Sequence, residues 1–123
     1  MHEVNCIGYA YFQTGVISEE AYRDPPSLNE LRENFQVVSE IGAASTLAVI
    51  YTWNHGSPDV IHEATHMAVL DPDNPGFIYH RRGFRKPVTH EPIDEGLQEY
   101  LKTGLEHNLD PQVLLLAVIR PID

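Results

Sequence analysis

His66-Met67-Ala68-Val69-Leu70-Asp71-Pro72-Asp73-Asn74-Pro75-Gly76-Phe77-Ile78-Tyr79-His80-Arg81 reads as two strands joined by a turn. The first arm is a short apolar run, and the second resumes extended structure with aromatic and β-branched residues. Every residue from Asp71 to Gly76 is a turn former. A hairpin here makes neighbours of its two histidines. In the register that sets position 66 opposite position 80, the two imidazoles share one face with their Cβ atoms about 5 Å apart. A slip of one residue would send them to opposite faces.

Working outward, Ser45 to Thr52 is a strand, a short run rich in β-branched and aromatic residues. Trp53 to Pro58 contains Asn54, Gly56 and Pro58 and reads as a loop. Beyond the hairpin, Thr89 to Pro92 is read as a continuation of the sheet. Ile93, Leu97, Tyr100, Leu101 and Leu105 recur at helical spacing and predict an amphipathic helix over 93–106. Val113 to Ile119 is too short to cross a membrane and suits a buried strand. Upstream, Ser27-Leu28-Asn29-Glu30 fits a capping box and opens a short helix to about Asn34. Phe35 to Val38 reads as a short strand or part of a turn. Residues 18–26 end in two prolines and read as an exposed connection. No repeat or linker divides the chain, so residues 1–123 form one α+β domain with a mostly antiparallel sheet.

The only cysteine opens the first helix. Asn5-Cys6-Ile7-Gly8-Tyr9-Ala10-Tyr11-Phe12-Gln13-Thr14-Gly15 has both ends marked. Asn5 suits the N-cap, and Gly15 suits the C′ position, where glycine enters the left-handed region without penalty. Cys6 then sits at the first helical position, where the positive end of the dipole favours a thiolate. A cysteine nucleophile needs a base within hydrogen-bond reach and a third group to orient that base. His66 and His80 supply the two imidazoles.

Composition narrows the partners. A chain of 123 residues with 42% hydrophobic residues fits one domain with a modest core. A net charge of −10 argues against nucleic acid and anionic membrane surfaces. One cysteine forms no internal disulfide, and there is neither a charged-then-apolar leader nor an apolar run of membrane-spanning length. These features predict a soluble, cytoplasmic protein.

Asn-Cys-Ile-Gly-Tyr-Ala at a helix start resembles the cysteine motif of papain-fold thiol hydrolases of the NlpC/P60 class. His-Met-Ala-Val-Leu, a turn, then Phe-Ile-Tyr-His is similar to that family's histidine strand and the next strand with its third polar residue. The resemblance covers roughly residues 5–15 and 45–90, in the family's chain order. It implies a papain-like domain that cleaves amide bonds in small peptide or peptide-like substrates, through an acyl-enzyme and without a cofactor. Carried over by position, Cys6 is the nucleophile, His66 the base and His80 its orienting partner. The Cys6 backbone N–H would serve the oxyanion hole. Only five residues precede Cys6, where the family carries a substrate-contacting tyrosine stretch.

A rival site overlaps the first. His62-Glu63-Ala64-Thr65-His66 matches His-Glu-x-x-His, which on a helix sets two imidazoles one turn apart to bind zinc beside a glutamate base. Ser57-Pro58-Asp59 would start that helix, and His80, Glu91 or Glu95 would be the third ligand. A third class is a binding domain of the same fold that performs no chemistry. Arg81, Arg82, Arg85 and Lys86 form a basic cluster. Asn5, Arg81 and Arg82 are candidate substrate contacts, because Arg grips a carboxylate bidentately. The plainer reading of the cluster is a solvated strand end paired with nearby Asp and Glu. His55, His90 and His107 are expected at the surface, and His2 is uninformative.

Overall fold

The computed structural model describes residues 4–51 and 63–119. The expected loop at 53–58, the helix start at Ser57, and His2, His55 and His62 lie outside the described residues. The order is α1 (Cys6–Gln13), α2 (Leu28–Asn34), β1 (Phe35–Val38), a 3-10 turn (Ile41–Ala43), β2 (Thr46–Ile50), β3 (Ala64–Leu70), β4 (Phe77–Arg81), β5 (Val88–Pro92), α3 (Ile93–Glu106) and β6 (Gln112–Val118). The strands form one six-stranded sheet in the order β1-β6-β2-β3-β4-β5. Each neighbouring pair is antiparallel. The chain is an α+β protein. No described helix is long and apolar enough to cross a membrane.

Side chains alternate across the sheet, so each face has its own core. Ala48, Ile50, Met67 and Leu116 pack on Ile7, Ala10 and Tyr11 of α1, joined by Leu31 of α2. Leu47, Val49, Ala68, Leu70 and Ile78 pack on Leu97 of α3 on the opposite face. The helix ends follow their capping residues. Asn5 Oδ1 accepts the Gly8 N–H at 3.0 Å, and Gly15 takes a left-handed φ of 79° just beyond the end of α1. Ser27 Oγ accepts the Glu30 N–H at 3.2 Å at the start of α2.

Two sequence expectations need correction. The hairpin register sets Val69 opposite Tyr79 and Leu70 opposite Ile78. Position 80 therefore falls opposite 68, not 66. The cause lies in the turn: Asp71 joins the ladder by donating its N–H to the Phe77 carbonyl at 3.0 Å. The offset is two residues, so His66 and His80 stay on one face as diagonal neighbours. The second correction concerns β6. Of its residues only Leu116 is fully buried. Among the described residues α3 packs over β4 and β5, and a single helix is too narrow to cover the whole sheet.

Candidate active site at the opening between β3 and β4

The first turn of α1 is held from outside. The Asn5 side chain accepts the Arg23 N–H at 3.2 Å and donates to the Arg23 carbonyl at 2.7 Å. The chain at 21–23 thus crosses the start of the helix. It comes so close that a Cβ on Gly8 would lie 1.6 Å from the Ala21 carbonyl oxygen. Residues 18–26, expected as an exposed connection, are exposed along most of their length and also form a strap that continues into the sheet. The Pro26 carbonyl accepts the Ala64 N–H at 2.9 Å, and Ser27 bridges Glu63. Asn5, a candidate substrate contact, spends both ends of its amide on the chain itself.

Cys6 is only 7% exposed. Burial pushes its thiol pKa up, against hydrogen bonds from the backbone at Met67, Ile7 and Cys6 that lower it. The expected resting thiolate is therefore overturned. A helix end contributes roughly 0.3–1 kcal/mol toward the anion, and removing that anion from water costs more.

The position of Cys6 follows from how β3 is paired. The Leu70 N–H donates toward β2, to the Ser45 carbonyl at 3.2 Å. By alternation, the Val69 and Met67 N–H groups face the β4 side. On that side β4 pairs only with Val69 and Leu70, while Pro26 and Ser27 take the strand's start. An opening is left between, and there the Met67 backbone meets the Cys6 sulfur.

On the α3 side, two imidazoles span the same opening. His66 Nε2 lies 2.7 Å from His80 Nδ1, and His80 Nε2 lies 2.6 Å from Glu91 Oε2. Arg82 closes the series, donating from Nε to Glu91 Oε2 at 3.1 Å and from Nη2 to Oε1 at 2.5 Å. Both imidazoles are completely buried. Burial first, then the neighbouring His80 and Arg82, push the His66 pKa down to about 3, so the ring is neutral. The hydrogen bond from Arg82, seconded by His80, holds Glu91 below the usual carboxylate range against its partial burial.

Tyr100 of α3 lies flat on His66, with ring centroids 3.9 Å apart and planes 13° from parallel. Its hydroxyl donates to the Arg82 carbonyl at 2.7 Å. Its own pKa is raised by burial first and then by Cys6, which places the thiol in the same neighbourhood. Gly96 lets α3 come this close. A Cβ there would lie 2.7 Å from Ile78 Cδ1, 3.2 Å from His80 Nε2 and 3.3 Å from Glu91 Cγ.

The structure brings His66 and His80 together and sets Cys6 at the same opening from the α1 side. No hydrogen bond joins Cys6 to His66: among the described residues the buried Nδ1 of His66 has no partner. Residues 64–70 are a strand, so the helical spacing that the zinc motif requires is absent at His66. Among the described residues no three His, Cys, Asp or Glu side chains are grouped to hold a metal ion.

The basic cluster lies at the exposed end of β4 and beyond, and its two strand-end arginines are held by partners. Arg81 pairs with Glu20 at 3.3 Å and donates to the Lys86 carbonyl at 2.7 Å. Arg82 pairs with Glu91 and, at 3.7 Å, with Glu99. Neither guanidinium is set aside for a substrate carboxylate. His90 is exposed on the outer strand and bonds Asp71 at 2.8 Å, and His107 caps the end of α3 through the Thr103 carbonyl at 2.8 Å. Glu91 and Tyr100 were not read from sequence as parts of the Cys6 site. Alternation along β5, which sets Glu91 on the face of Ile78, was the available signal.

Comparison with protein-family models, with curated proteins and with solved structures finds no match to this chain.

Proposed function

We propose that this chain is a papain-like thiol hydrolase, in which Cys6 attacks an amide carbonyl and His66 is the base. One observation carries the reading. His66 anchors Nε2 in a chain of buried polar groups and keeps Nδ1 without a partner, and the residue next to it in β3 meets the Cys6 sulfur. A buried polar atom left unpaired costs about 1–3 kcal/mol, and a role as proton acceptor accounts for it here.

With a neutral thiol and a neutral imidazole at rest, proton transfer accompanies attack. The Cys6 sulfur bonds to the carbonyl carbon as its proton passes to His66 Nδ1. The oxyanion takes the backbone N–H at the start of α1. Collapse expels the amine, which takes the proton from His66 and leaves a thioester on Cys6. Water, deprotonated by the same nitrogen, then adds to the thioester carbonyl; the C–S bond breaks, the acid leaves, and the proton on His66 returns to the Cys6 sulfur. The substrate class is a small peptide or peptide-like amide, and the acidic chain is unsuited to nucleic acid.

The closure of Cys6 favours a second reading, a binding domain of this fold that performs no chemistry. p-Nitrophenyl acetate with intact-mass readout decides between them. Acetylation confined to Cys6, slowed about 10²- to 10⁴-fold in His66→Ala, is expected. No acetyl-Cys6, or equal rates in wild type and variant, would sink the hydrolase.

A further inference from the structure

We infer that Glu91 sets the proton order of the buried relay and so determines that the free nitrogen of His66 is a bare acceptor. The inference takes its catalytic meaning from the hydrolase reading, but it concerns where protons sit and is tested without turnover.

Arg82 grips both oxygens of Glu91 with two donors, 3.1 Å and 2.5 Å away. A guanidinium is always charged and only donates, so the carboxylate facing it is ionised and only accepts. His80 Nε2, 2.6 Å from Glu91 Oε2, must therefore carry a hydrogen. His80 is completely buried, where a charged ring is disfavoured, and Arg82 already supplies the counter-charge to Glu91, so we infer a neutral donor at His80. A neutral imidazole with its hydrogen on Nε2 has a lone pair on Nδ1.

That lone pair faces His66 Nε2 at 2.7 Å, so His66 must donate there. A neutral His66 with its hydrogen on Nε2 then presents a lone pair at Nδ1, the atom with no partner. Two hydrogen bonds in series thus translate one surface ion pair into a basic nitrogen inside the protein. Were the order reversed, the unpartnered atom would be a buried N–H, which could not take a proton from Cys6. Glu91 touches neither Cys6 nor any reacting atom and is a positioning residue. Gly96 belongs to the same device, because a Cβ there would press within 3.2 Å of His80 Nε2 and 3.3 Å of Glu91 Cγ.

The test is a long-range proton–nitrogen correlation spectrum of the imidazoles in 15N-labelled protein at neutral pH, for wild type and Glu91→Gln. In wild type, His66 and His80 should each carry hydrogen on Nε2 alone. In the variant, Arg82 holds the glutamine oxygen and the amide N–H₂ faces His80. The order should then reverse, with hydrogen moving to Nδ1 of both rings. Cys6 acetylation should fall about tenfold or more, because the free nitrogen of His66 no longer accepts. A wild-type His66 protonated on Nδ1, or a His80 protonated on both nitrogens, would overturn the inference whether or not the variant folds. An unchanged His66 tautomer in a folded variant would do the same. A correct wild-type tautomer with no Cys6 acetylation would instead leave the relay standing and remove the hydrolase.

Discussion

A fully buried imidazole makes stability depend on pH, and His66 gives this chain a definite sign. Its pKa falls from 6.5 to about 3 on folding, so the unfolded chain binds a proton that the folded chain refuses. The resulting stability is complete above pH 6.5 and is lost as pH falls from there toward 3. Between pH 7 and pH 5 the loss should be about 2 kcal/mol. Urea midpoints at the two pH values measure it, and His66→Gln should flatten most of the difference; an equal slope in the variant would assign the effect elsewhere. Cys6 acts in the opposite direction. Its raised pKa gives stability that is present below the ordinary thiol range and lost as pH rises through the folded value. At this scale the sequence revealed the two histidines, because a turn of six consecutive turn formers fixes which strands meet. It misled about the thiol, because the dipole at a helix start can be read from Asn5 and Cys6 whereas the depth of burial cannot. Glu91 is one carboxylate among 18 acidic residues. Only the pairing of β4 with β5 singles it out.

The strap over α1 is the element whose role most exceeds its sequence signal. Asn5 and Arg23 are 18 positions apart, and nothing in a polar, proline-ended segment announces that contact. Helix α3, by contrast, was legible from its period alone, as were Asn5, Gly15 and Ser27 as helix-end residues. The strap gives a direct prediction. Gly8→Ala would place a methyl carbon 1.6 Å from the Ala21 carbonyl, an overlap that only backbone movement relieves. The strap should be pushed off the first turn, at a cost of about 1–3 kcal/mol, and Cys6 should gain solvent. Cys6 reactivity toward a disulfide reagent in the folded variant should rise at least tenfold over wild type; no rise would show that the strap does not cover the thiol.

Across the whole sheet, protection should follow strand order. β2 is hydrogen-bonded on both edges, and β3 is at Val69 and Leu70, whereas β1 and β5 lie at the rims. Amide exchange should be slowest through Leu47–Val49 and at Ala68 and Val69, and faster in β1 and β5. Exchange in β5 as slow as in β2 would contradict it. This order was not legible from sequence, since strand patterns show where strands lie and not which neighbours they choose. The expectation that neighbours in sequence pair in space holds for β2 to β5 and fails for β6. β6 lies between β1 and β2, pairing with both. Synthesis runs from the N-terminal to the C-terminal side, so β1 and β2 emerge long before the strand that joins them. Until β6 is made, both expose a bare edge, and Leu116 is missing from the α1 core. A nascent chain of this protein would therefore depend on chaperone shielding of those two edges, and a stalled message lacking β6 would yield an aggregation-prone product.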